Sequence, residues 1–120
     1  MPRVLIVDDI ALNRLLLERI LQPRGYEILT AEGGREAVDL AQTHSPDLIL
    51  MDIQMPGVNG YEALELLRAH EHTSNIPVMA VTGAATENDR SKLDSAGFNA
   101  AILKPFDIPE LLAIVSGLTA

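Results

Sequence analysis

The chain has no cysteine in its 120 residues. That absence removes any disulfide framework and any thiolate metal centre, and it fits a reducing compartment. Basic residues are scarce: nine Lys and Arg stand against seventeen Asp and Glu, a formal net charge of −8. Nucleic-acid binding draws on clustered Lys and Arg, and here they are scattered, so no direct contact with nucleic acid is expected. No apolar run approaches the roughly 20 residues that a membrane-spanning helix needs. The run Val4–Val7 after Met1, Pro2 and Arg3 is too short for the core of a signal peptide. A cytoplasmic protein with no membrane contact is expected. Internal repeats, low-complexity tracts and blocks of like charge are also missing, which argues against disorder and against a repeat architecture. Neither G-x-G-x-x-G nor G-x-x-x-x-G-K-S/T occurs, so no nucleotide-phosphate loop is indicated.

What the chain does have is five short apolar runs alternating with five helical patterns. The runs are Val4–Val7, Ile28–Ala31, Leu48–Met51, Pro77–Val81 and Ala100–Leu103. The first, third and fourth are nearly continuous in apolar residues, as strands covered on both faces are. Strand–helix alternation predicts a doubly wound α/β fold with a parallel five-stranded sheet, within a single domain spanning 1–120. Helices are predicted at about Ala11–Leu21, Gly34–Thr43, Tyr61–Ala69, Glu87–Ala96 and from Asp107 onward, the last with Asp107 as N-cap and Glu110 three residues on. In the first helix Leu12, Leu16 and Ile20 recur at four-residue spacing and read as the inward stripe, with Leu15 nearby. Leu17 and Leu21 widen the apolar arc beyond such a stripe, as flank packing or as a docking patch for a partner helix. Ile108, Leu111, Leu112 and Val115 lie on one side of the last helix. The fourth helix has little to bury beyond Leu93 and Ala96, so it is expected to be the least firmly anchored and a candidate moving part.

Ligands of open doubly wound sheets sit outside the carboxyl ends of the strands. There the first strand is followed by Asp8 and Asp9, the third runs into Asp52, the fourth into Thr82 and the fifth into Lys104. The second has no matching feature, which predicts strand order 2-1-3-4-5 with strands one and three central. Each carboxylate pair at ~4 Å costs about 1 kcal/mol in water and about 4 kcal/mol at an effective dielectric of 20. Lys104 offsets only part of that. A hard divalent cation with oxygen ligands, Mg2+, suits the remainder, and no His or Cys stands close in sequence to favour zinc or copper. A cation and a lysine over a carboxylate also make a phosphate clamp, with Asp52 as the natural nucleophile for an aspartyl-phosphate and the Thr82 hydroxyl donating to a phosphate oxygen. Singly, each residue has a bland structural explanation: an N-cap, a turn, a strand-end hydroxyl, a solvated charge. Their co-location at four strand ends favours the chemical one.

In this order and spacing the residues resemble the receiver domain of two-component response regulators, over essentially the whole chain. The resemblance is carried by Val4-Leu5-Ile6-Val7-Asp8-Asp9, by residues 46–56 (Pro46 to Pro56) with Gly60, by Ile76 to Thr82, and by Lys104-Pro105-Phe106. Asn13-Arg14 and Met51-Asp52-Ile53-Gln54-Met55-Pro56 are most similar to receivers of hybrid kinases and phosphorelays. The resemblance implies a CheY-like, flavodoxin-like (βα)5 fold. It implies that Asp52 takes a phosphoryl group from a histidine kinase or histidine phosphotransfer protein. Asp9, Asp52 and the backbone carbonyl of Gln54 would bind Mg2+, Asp8 would act mainly through a water, and Thr82 and Lys104 would hold phosphoryl oxygens. It implies a cis Lys104–Pro105 bond, an open entrance at Gly83, self-catalysed phosphorylation and dephosphorylation rather than a separate enzymatic activity, and control of a downstream protein. One departure stands out. The aromatic switch that receivers often carry three residues before the lysine is Ala101, so Thr82 and the fourth helix would carry the change alone, or the output is unusual.

Other classes fit less well. A magnesium phosphohydrolase working through an aspartyl-phosphate resembles this site, but where such enzymes place a second acid Gln54 stands. A receiver-shaped adaptor that is never phosphorylated would not need the full acidic set. A flavin or nucleotide carrier would want a phosphate cradle where the acids are. His44, His70 and His72 read as solvated surface residues, and Met51, Met55 and Met79 as core fillers. The face formed by the fourth helix, fifth strand and fifth helix offers little for charge-paired association at Ala100 and Ala101, so a monomer is expected.

Overall fold

The computed structural model describes residues 1–83 and 87–120, with the side chains of 87–90 outside the description. Five strands and five helices alternate. They are β1 (Arg3–Val7), α1 (Ala11–Leu21), β2 (Glu27–Ala31), α2 (Gly34–His44), β3 (Leu48–Asp52), α3 (Gly60–Ala69), β4 (Val78–Thr82), α4 (Glu87–Ala96), β5 (Ala100–Leu103) and α5 (Ile108–Thr119), with a 3-10 turn at Gln22–Arg24. All pairings are parallel and the order is 2-1-3-4-5, as the strand-end pattern predicts.

The apolar runs form strands because both faces of the sheet are covered. Along β1, Leu5 and Val7 point to the face packed by α2, α3 and α4, while Val4 and Ile6 point to the face packed by α1 and α5. β3 divides in the same way, with Ile49 and Met51 on one side and Leu48 and Leu50 on the other. Met51, Met55 and Met79 are buried fillers, and the three histidines are exposed. β4 starts at Val78 and not at Pro77. Proline has no N–H for the ladder, although its carbonyl accepts from the Ile49 amide at 3.0 Å. Gly25, at φ 91°, turns the chain out of α1 and its 3-10 extension in a conformation that glycine adopts freely.

Two expectations are corrected. Leu17 and Leu21, considered for a docking patch, are 3% and 0% exposed and pack against β1 and β3. Leu12 and Leu16, expected to face inward, are 72% and 49% exposed, and Leu15 is exposed with them. With apolar residues on both arcs of α1, the period alone does not choose the core side; the sheet does. At the last helix, Asp107 occupies the N-cap position with extended backbone but its side chain makes no cap hydrogen bond, and Ile108 stands exposed while Leu111 and Val115 are buried. Among the described residues a capping box is found instead at α3. There Asn59 Oδ1 accepts from the Glu62 amide at 2.9 Å and Glu62 Oε1 accepts from the Asn59 amide at 3.1 Å.

Among the described residues no helix is long and apolar enough to cross a membrane. α4 has Leu93 in the core on the α2–α3 side. Its Lys92 Nζ lies 4.6 Å from the centroid of the Tyr61 ring, and that ring meets Phe98 edge-on at 5.8 Å.

Candidate phosphoacceptor site

The parallel register brings the carboxyl ends of β1, β3, β4 and β5 to one rim. β1 and β2 remain bonded one residue past the strands, with the Asp8 amide donating to the Ala31 carbonyl at 3.1 Å, and this carries the Asp8 side chain inward to 2% exposure. Its Oδ1 accepts from the Ile10 amide at 2.9 Å, turning the chain into α1. Asp9, next along, is exposed. Asp52 is the last residue of β3, opposite Val81 of β4, and is 7% exposed; its Oδ1 accepts from the Gln54 amide at 3.3 Å. Thr82 is buried at the end of β4, in register with Leu103 of β5. The Lys104 amide donates to the Thr82 carbonyl at 2.8 Å, extending that ladder to the lysine, and the Lys104–Pro105 bond is cis.

Oxygens of Asp8, Asp9 and Asp52 lie within 4.8 Å of one another. Lys104 Nζ is 3.2 Å from Asp8 Oδ2 and 4.0 Å from Asp52 Oδ1. Burial pushes the Asp52 carboxyl above the ordinary aspartate range. Lys104 pulls it back, Asp8 pushes it up again, the Gln54 amide lowers it, and Asp9 raises it. One ammonium does not balance three acids. The donor set is all oxygen, partly buried and partly open through Asp9, which fits a hard divalent cation such as Mg2+ and not a soft one.

Two residues that entered the sequence analysis only as parts of the resemblance make contacts beside the acids. Gly60 opens α3 directly under the acceptor: a Cβ there would lie 2.6 Å from the Asp52 carbonyl oxygen and 2.8 Å from Ile53 Cα. Arg14, on α1, is largely buried and donates through Nη1 to the Asp8 carbonyl at 2.6 Å, with Nη2 3.4 Å from Glu32 Oε1. Gly60 stands in a quotable motif, whereas Arg14 has no pattern that would reveal a bond to a backbone carbonyl six residues back.

Residues 4–116 match the family model of the response regulator receiver domain. The chain belongs to the receiver family. As a receiver it is 41% identical over 112 residues to the polar-differentiation response regulator DivK of Brucella ovis, covering 93% of this chain and 91% of that one. Among solved structures it is similar to the receiver domain of the sensor histidine kinase PA1611 of Pseudomonas aeruginosa, described with a magnesium ion coordinated in the active site cleft. That receiver is 33% identical with a TM-score of 0.91, covering 98% and 97% of the two chains. The chemotaxis protein CheY4 of Vibrio cholerae is 30% identical with a TM-score of 0.91, covering 98% of each chain. Receivers are signalling domains, and in two-component systems histidine kinases phosphorylate them.

Two surfaces flank this receiver's rim. Apart from Met1, the large apolar residues exposed among the described residues are Ile10, Leu12, Leu15, Leu16 and Ile108, all at the start of α1 or α5. A groove of about 280 Å³ runs between them, lined by Leu16, Leu17 and Ile20 on α1 and by Pro105, Phe106 and Ile108, with Lys104 and Asn13 also in its wall. On the other flank Ala101 is exposed on β5, and a small cavity of about 170 Å³ lies among Leu93, Asp94, Ala101 and Leu103.

Proposed function

We propose that Asp52 accepts a phosphoryl group from a phosphohistidine of a histidine kinase or histidine phosphotransfer protein, and that the modified domain changes shape to control a partner protein. The observation that carries this reading is the convergence of the Asp8, Asp9 and Asp52 oxygens within 4.8 Å, with the Lys104 ammonium 4.0 Å from Asp52. A carboxylate oxygen of Asp52 attacks phosphorus while the bond to the donor imidazole nitrogen breaks and the imidazole leaves. Lys104 and the Thr82 hydroxyl hold phosphoryl oxygens. Asp9, Asp52 and the Gln54 carbonyl would hold Mg2+, and Asp8 would act through a water. When bound, Mg2+ offsets the charge that gathers on the acidic rim and on the phosphoryl oxygens. The domain catalyses its own phosphorylation and hydrolysis. In this reading it acts in the cytoplasm as a monomer and does not contact nucleic acid, the last supported by the charge of −8. With Ala101 on β5, the change passes through Thr82 and the weakly anchored α4.

The donor's helix docks on Leu12, Leu15, Leu16 and Ile108. This is supported by their exposure beside a groove whose wall includes Lys104. Replacing Leu12 and Leu16 together by Glu slows transfer from a phosphorylated histidine donor at least tenfold and leaves acetyl phosphate labelling intact; equal transfer rates remove the docking surface.

Acetyl phosphate or beryllofluoride with Mg2+, followed by intact mass and fluorescence, tests the core of the proposal. An acid-labile adduct on the wild type and none on Asp52→Asn supports it. An unmodified wild type indicates a non-phosphorylated adaptor, and rapid turnover of many phosphate esters indicates a phosphohydrolase.

A further inference from the structure

The turn that presents the acids is fixed one peptide at a time. The peptide entering Asp8 is held by β2, through the Asp8 amide on the Ala31 carbonyl at 3.1 Å. The peptide leaving Asp9 is held by the Asp8 carboxylate, through the Ile10 amide at 2.9 Å. The peptide between Asp8 and Asp9 is held by Arg14, whose Nη1 donates to the Asp8 carbonyl at 2.6 Å. That middle peptide sets the direction in which the Asp9 side chain leaves the backbone. The Asp8 carboxylate has its own anchors in the Ile10 amide and Lys104. Asp9 is the exposed member of the acidic group.

We infer that Arg14 is a positioning residue: it orients Asp9 for the cation through the Asp8–Asp9 peptide. This rests on the Mg2+ site proposed above and goes beyond it, since Arg14 touches neither cation nor phosphoryl group. Two effects of a guanidinium at this place oppose each other. Its positive charge repels a cation, and its hydrogen bond organises a ligand for one. The geometry decides between them. Arg14 Nη1 is spent on the Asp8 carbonyl at 2.6 Å, while solvent screens the charge and the exposed Glu32 carboxylate, 3.4 Å from Nη2, offsets a small part of it, so the hydrogen bond dominates. A charged donor to a carbonyl is among the stronger hydrogen bonds, and residues that orient metal ligands from behind affect affinity through geometry alone.

Mg2+ affinity, measured by titration calorimetry on the folded protein, separates the possibilities, because a role confined to fold stability does not alter the dissociation constant of folded molecules. Arg14→Ala should weaken Mg2+ binding about tenfold, the low end of what losing an orienting partner costs a metal site. Arg14→Gln, which keeps a donor near the Asp8 carbonyl without the charge, should recover part of that loss, and it also serves if the alanine variant folds poorly. Glu32→Gln, which leaves the Arg14 donor in place, should change affinity about twofold or less, as expected for an exposed ion pair. Binding by Arg14→Ala as tight as the wild type or tighter, or Arg14→Gln no better than Arg14→Ala, overturns the positioning role while leaving the cation site intact. Wild type that takes up no Mg2+ overturns the cation site itself, and the Arg14 role with it.

Discussion

The two helices that flank the acidic rim are built on opposite plans. α1 is apolar on both arcs: Leu17 and Leu21 fasten it to the sheet, while Leu12, Leu15 and Leu16 stand in solvent. α4 is polar, with Leu93 in the core and Lys92 resting on the Tyr61 ring. A helix fastened by large core residues and still carrying apolar surface is suited to receive a partner without moving. A helix with few apolar anchors is suited to move when the rim changes. On the function proposed above, the two flanks would divide the work, with input on the α1 side and response on the α4 side.

The sharpest way to break this contrast is to cut one anchor and one outward residue of α1. Leu17→Ala should cost about 2–5 kcal/mol in urea unfolding, as buried leucines do, and Leu16→Ala about 0.5 kcal/mol or less, as exposed positions do. Equal losses would mean that α1 is not fastened as described. On the α3 side, Asn59→Ala removes the capping box and should cost about 1 kcal/mol.

Asp52→Asn should act in the opposite direction. Because burial raises the Asp52 carboxyl, the folded chain keeps that proton to higher pH than the unfolded chain does. The stability contributed by the protonated acid is complete below the ordinary aspartate range and is lost as pH rises through the raised value. Metal-free Asp52→Asn should therefore melt above the wild type at pH 7, with the two converging on acidification below the usual aspartate pKa. Added Mg2+ should raise the wild type and not the variant. A variant that melts lower at pH 7 would show that the rim carries no electrostatic strain.

A small effect is expected at α4. Lys92→Ala should cost about 0.5–1 kcal/mol, the size of an exposed cation–π contact. Its amide exchange should quicken in α4 more than in α1. Uniform exchange across both helices would erase the distinction.

The sheet and its order were legible because β1, β3 and β4 are buried on both faces and carry almost unbroken apolar runs, and because acids and lysine follow the strands that become neighbours. The acidic rim was legible for the same reason: a strand end is a position in sequence as well as in space. The facing of α1 was not. A helix with leucines on two arcs offers two equally good stripes, and only the sheet decides between them. The start of α3 was legible to within one residue, but the Asn59–Glu62 capping pair went unnamed, although its three-residue spacing is the signature of one. Arg14 stayed hidden because it bonds to main chain, and no side-chain pattern reports where a carbonyl points.

Gly60 has a consequence for how this domain can vary. Its Cα sits so near the Asp52 carbonyl that even one added carbon would push on the backbone of the acceptor. Most positions admit a graded series of replacements, each a little larger than the last. Here the series has no first step, because alanine already displaces the peptide that bears the reactive carboxylate. Any lineage that fills position 60 must rebuild the loop between the third strand and the third helix at the same time, or give up the chemistry at position 52.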